Sequence, residues 1–145
     1  MGGTYEDLEV WQASMVLVVK IYAASRNFPA DERYGLTNQL RRAAISVDSN
    51  IAEGKGRISD KELLQFLSRA RGSLYEVQTQ LRVAKALPYL TQSQGSDLSS
   101  CGDRVGCLLN GLIRSVNFSV AQASRSKGEI DVPRMARAES RTAKA

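Results

Sequence analysis

The sequence predicts an all-α protein, an antiparallel up-down-up-down four-helix bundle. Three observations predict it. Apolar residues recur at spacings of three and four in four successive segments, proline or glycine separates most of those segments, and no alternating strand pattern competes. A chain of 145 residues suits one such domain. The bundle is expected over residues 1–125, with a flexible basic tail at 126–145.

In the first helix Leu8, Trp11, Met15, Val18, Tyr22 and Ser25 form one stripe, and Leu17, Ile21, Ala24 and Phe28 a second beside it. Together they make an apolar face broader than one partner helix covers. The helix is expected to end near Asn27, because Pro29 disfavours helical geometry in the residue before it. The second helix spans about 36–53, with Leu36, Leu40, Ala43, Ala44, Val47 and Ile51 inward. Ala43, Ala44, Ser46, Ser49 and Ala52 let a neighbour approach closely, and Gly54 and Gly56 stop the helix.

Ser59 is the expected N-cap of the third helix, with Glu62 completing a capping box. Leu63, Leu67, Ala70, Leu74, Val77, Leu81 and Ala84 then alternate by four and three for three heptads, the seam of a left-handed bundle. Pro88 ends it. The fourth helix lies within 92–124, on Leu98, Cys101, Val105, Leu108, Leu112, Val116 and Val120. Gly95, Gly102, Gly106 and Gly111 each cost up to about 1 kcal/mol relative to alanine, so its early part is expected to fray. From Ser126 the apolar pattern fades.

Composition excludes much chemistry. The chain has no histidine, which removes the commonest general base and metal ligand. Cys101 and Cys107, six apart, fall on different helix faces and read as small core residues rather than a zinc site or disulfide. No phosphate-cradling glycine motif occurs. Neither catalysis nor a cofactor is expected. No apolar run reaches the roughly 18 residues of a membrane span, and the first residues lack the pattern of a secretory signal. A cytoplasmic location and no membrane partner are therefore expected.

Net charge is +5, unevenly placed: residues 1–40 carry −2, 41–85 carry +4 and 125–145 carry +3. Such a balance suits a polyanion. Arg71, Tyr75, Gln78, Arg82 and Lys85 share one face of the third helix. With Arg41 and Arg42 on the second helix, and Lys55 and Arg57 in the loop after it, they are candidates for a basic surface. Arginine forks match phosphate, and a tyrosine stacks on an unpaired base. The same spacing fits a solvated face whose arginines pair with Glu76, Glu62 or Asp60. Ser46, Asn50 and Glu53 form a polar row near the core. It reads as a hydrogen-bonded layer with Glu53 neutralised by Arg57 or Arg71, since a lone carboxylate lacks a catalytic partner. Trp11, Tyr22 and Phe28 read either as oligomer contacts or as ordinary core.

Tyr5-Glu6-Asp7-Leu8-Glu9-Val10-Trp11-Gln12, Phe28-Pro29, Glu32-Arg33-Tyr34-Gly35-Leu36-Thr37 and Gln39-Leu40-Arg41-Arg42-Ala43-Ala44 occur in order. Ser49-Asn50-Ile51-Ala52-Glu53-Gly54-Lys55-Gly56-Arg57, Ala70-Arg71-Gly72-Ser73-Leu74-Tyr75-Glu76 and Leu108-Leu109-Asn110-Gly111-Leu112-Ile113 follow. Over about residues 5–116 the chain thus resembles the four-helix-bundle proteins named after ribosomal RNA intervening sequences. The resemblance implies an antiparallel bundle assembled with itself as a homopentamer. A related branch serves diversity-generating retroelements, where a basic pentamer binds structured RNA and a reverse transcriptase. Asp48 stands where many relatives have proline, which leaves the second helix straighter. The leading expectation is a non-enzymatic oligomer binding RNA or a ribonucleoprotein through its basic face. The alternative is an oligomeric scaffold that engages a protein partner without nucleic acid.

Overall fold

The computed structural model describes the backbone of residues 3–142 and side chains from residue 3 to residue 128. Four helices follow one another: α1 Glu9–Ser25, α2 Leu36–Lys55, α3 Asp60–Ala86 and α4 Gln92–Thr142. Short 3-10 turns occupy Tyr5–Asp7 and Ala30–Glu32, and the described residues include no strand. α1 and α3 each pack against α2 and α4, whereas among the described residues the backbones of the diagonal pairs do not come close. With short connections between consecutive helices, this square is the four-helix bundle that the periodicity predicts.

The core is aliphatic: Leu17, Ile21, Leu40, Val47, Ile51, Leu67, Leu74, Val77, Val105 and Leu109 are fully buried. The expected α3 seam is buried from Leu67 to Ala84, with Leu63 at its border. On α1 the Leu17–Ile21–Ala24–Phe28 stripe is core, while Met15 and Tyr22 of the other stripe stay exposed.

Three local expectations need correction. Gly54 lies inside α2 rather than ending it; Gly56 is the C-cap. A Cβ on Gly54 would sit 2.9 Å from Phe66 Cβ and 3.0 Å from Leu63 Cδ1, so the glycine serves close packing of α2 on α3. On α4 the buried line runs through Leu98, Gly102, Val105, Leu109, Ile113 and Val116, with Cys101, Leu108 and Leu112 beside it. Glycine leaves no apolar mark in a sequence, so the seam reads one position off. Cys107 is exposed rather than core.

The start of α4 is helical from Gln92, held by a reciprocal cap: Gln94 N–H donates to Thr91 Oγ1 at 3.1 Å and Thr91 N–H donates to Gln94 Oε1 at 3.0 Å. The expected fraying is offset by this cap and by burial of Leu98 and Val105 in the core. The boundary at residue 125 coincides with no helix end, because α4 continues to Thr142. Residues 143–145 of the expected tail lie outside the described residues.

Ser59 caps α3 as expected, its Oγ accepting from the Glu62 N–H at 3.2 Å. Ser59→Ala is expected to lower stability by about 1 kcal/mol. Urea unfolding at fixed protein concentration measures it, and an unchanged midpoint would contradict the assignment.

Candidate nucleic-acid interface

The α3 stripe faces α4. Arg71 Nη1 donates to Asn110 Oδ1 at 3.5 Å, and Lys85 Nζ donates to Ser99 Oγ at 2.6 Å. Gln78, Arg82, Lys85, Ser99 and Asp103 line a groove of about 400 Å³ between the two helices. Tyr75 stands exposed midway along the stripe. Gly95 on α4 lets the Lys85 stem pack against the helix: a Cβ there would lie 2.7 Å from Lys85 Cε.

Among the described residues the ion pairs are Lys20–Asp97 and Arg104–Glu9, each at 3.0 Å and both joining α1 to α4. Arg71, Arg82 and Lys85 therefore pair with none of Glu76, Glu62 and Asp60. Their charge is left to solvent or to a ligand, with Asp103 as the acidic counterweight in the groove.

The other basic candidates lie elsewhere. Arg41 sits at the α1–α2 seam, its guanidinium 4.6 Å from the Tyr22 ring centroid and its Nε donating to Ser25 Oγ at 2.8 Å. Arg42 lines a cleft between α2 and α3. Lys55 is exposed at the end of α2. Arg57 stacks on Phe66 at 4.4 Å, and Arg69, absent from the sequence expectation, stacks on the same ring at 4.9 Å. The single basic surface is thus several patches. Successive residues on a helix point about 100° apart, so Arg41 and Arg42 look in different directions.

The polar row is a hydrogen-bonded layer. Ser46 and Ser73 meet hydroxyl to hydroxyl at 2.8 Å across α2 and α3, and Asn50 Nδ2 donates to Ser46 Oγ at 3.0 Å. Glu53, however, is exposed and pairs with neither Arg57 nor Arg71 among the described residues. The buried acid is Asp48, only 7% exposed, which accepts a hydrogen bond from fully buried Ser14 on α1. Burial pushes its carboxyl up to about 6, and the Ser14 hydrogen bond opposes that shift.

Of the three proposed contact aromatics, Phe28 is core, 8% exposed and 5.5 Å from the Tyr89 ring. Trp11 is half-buried, its ring T-shaped against Tyr5 at 5.3 Å between centroids, whereas Tyr22 is exposed on the same side of α1 as Met15 and Val19. No group of three or more His, Cys, Asp or Glu among the described residues could hold a metal ion. No described helix is long and apolar enough to cross a membrane.

A family model described as 23S rRNA-intervening sequence protein matches residues 6–111. A crystal structure of a protein of unknown function, from the S23 ribosomal protein family of Bacteroides thetaiotaomicron, superposes with a TM-score of 0.65. It is 21% identical, and the match covers 72% of this chain and 97% of that one. At that identity the likeness speaks for the fold alone. No curated relative matches.

Proposed function

This chain belongs to the 23S rRNA-intervening sequence protein family, and on that footing we propose that it acts without catalysis, as a homo-oligomer that holds structured RNA in its α3–α4 groove. The observation that carries this reading is that Arg82 and Lys85 line the groove with Arg71 in line with them on α3, Arg71 and Lys85 bonded to the neutral Asn110 and Ser99 and none of the three in an ion pair, although Asp103 shares the groove. Guanidinium and ammonium groups in that state exchange weak neutral contacts for phosphate at little cost. Tyr75 offers a stacking face between them. The exposed apolar side of α1, carrying Met15, Val19 and Tyr22, supports self-association, and five copies in a ring would multiply a weak groove by avidity.

Binding to a structured ribosomal RNA fragment is expected to weaken linearly in log–log form with salt, by a slope of about −0.9 per phosphate engaged. Arg71→Glu, Arg82→Glu and Lys85→Glu together are expected to abolish it while the oligomer stays intact. Undetectable binding at low salt, or unaltered affinity in the triple variant, would remove the reading. The α1 face alone also supports a scaffold for a protein partner. That reading gains if a protein co-purifies after nuclease treatment and RNA does not bind.

A further inference from the structure

Gln12, Met15, Val19, Tyr22 and Arg26 are all exposed, and they continue from half-buried Leu8. From Leu8 to Arg26 these residues alternate by four and three, the spacing of a coiled-coil seam, here turned away from the chain's own core. Val16 beside them and Ile45 on α2 are exposed as well and widen the apolar strip. Between Glu9 and Arg26 the only charged residue is Lys20, which is turned aside to Asp97 on α4. A continuous uncharged face of this kind marks a contact surface. Its two ends differ in sign. Glu6 and Asp7 precede α1 and Arg26 follows it, all three exposed and none in an ion pair among the described residues.

We propose that a second copy of this chain covers this face, its α1 running antiparallel to the first across a two-fold axis. An antiparallel alignment centred at the level of Leu17 sets Met15 of each copy against Val19 of the other, and Gln12 against Tyr22. It also brings Arg26 of each copy to the Glu6–Asp7 end of the other, so opposite charges meet at both ends. A parallel alignment would set Arg26 against Arg26 and acid against acid. Acids at one end, and no cation along the strip before Arg26, disfavour RNA as its cover. Because the same patch serves on both copies, the contact is isologous and joins copies in pairs. A ring of five therefore closes through other faces, and this seam couples two rings or, without a ring, two protomers.

The contact rests on the self-association proposed above and not on the RNA groove. Light scattering on the full-length protein gives the mass, and analytical ultracentrifugation the dissociation constant. The wild type is expected to hold an even number of protomers. Val19→Asp is expected to halve that mass with helicity by circular dichroism unchanged, since Val19 is 62% exposed and lies outside the core. Arg26→Glu is expected to weaken pairing about tenfold, because each contact loses two exposed ion pairs. Adding Glu6→Lys and Asp7→Lys to that variant should restore it, as only the antiparallel alignment allows. The Arg71/Arg82/Lys85 triple variant should pair as the wild type does, so failure of the groove leaves this contact standing. A monomeric wild type, an odd-numbered assembly, a mass unmoved by Val19→Asp, or no rescue by the charge swap would overturn the proposal. An odd-numbered ring would do so while leaving the homo-oligomer itself intact.

Discussion

Asp48→Asn is expected to stabilise the fold at pH 7 by about 3 kcal/mol, since each unit of pKa shift corresponds to about 1.4 kcal/mol. Asp48 is buried between α1 and α2, and its carboxyl titrates near 6 in the folded chain against 3.8 when solvated. The folded state therefore holds the proton more tightly than the unfolded state. Its contribution to stability is fully present below about pH 4, declines as pH rises toward 6, and is absent above. Asparagine keeps the shape and an acceptor for Ser14 but never ionises. The variant should match the wild type near pH 4 and exceed it increasingly up to pH 6, in urea unfolding at fixed protein concentration. A constant difference across that range, or a less stable variant at pH 7, would refute the buried-acid account.

Gly54→Val is expected to act in the opposite direction, costing about 3 kcal/mol. Even a bare Cβ at this position lies 2.9 Å from the Cβ of Phe66, an atom fixed to the α3 backbone and unable to swing away. Valine adds two methyl groups to that collision. Alanine would regain up to about 1 kcal/mol of helix propensity against the overlap, so it should fall between glycine and valine. Thermal melts of the three variants give the order. A valine variant as stable as the wild type would mean that α2 and α3 do not approach as described.

These two positions also show what can be read from the residues alone. The α3 seam is legible because apolar side chains repeat by three and four without interruption from Leu67 through Ala70, Leu74 and Val77 to Leu81, and the Ser59 cap because it is purely local. The α4 seam was displaced because Gly102 occupies a buried position without contributing hydrophobicity. Asp48 escaped for a related reason. It lies inward with Ala44, Val47 and Ile51, but a carboxylate in that row looks like a departure from the pattern. The basic residues were identified by type and not by direction. Arg71, Arg82 and Lys85 share one helix, so their spacing fixed their common face, whereas Arg41, Arg42 and Arg57 depend on how α2 is rotated against its neighbours. Arg69 had a signal, three residues after Phe66, that becomes meaningful only once Arg57 is seen on the same ring.

The square of helices has one seam unlike the others. Three of its four contacts join helices that follow directly in sequence and can zip together locally as the chain collapses. Only α1 against α4 closes over a long separation, and its surface is bridged by the solvent-exposed pairs Lys20–Asp97 and Arg104–Glu9, which hold weakly in water. Of the four seams it is thus the one whose closure costs the most chain entropy, its partners lying farthest apart along the chain.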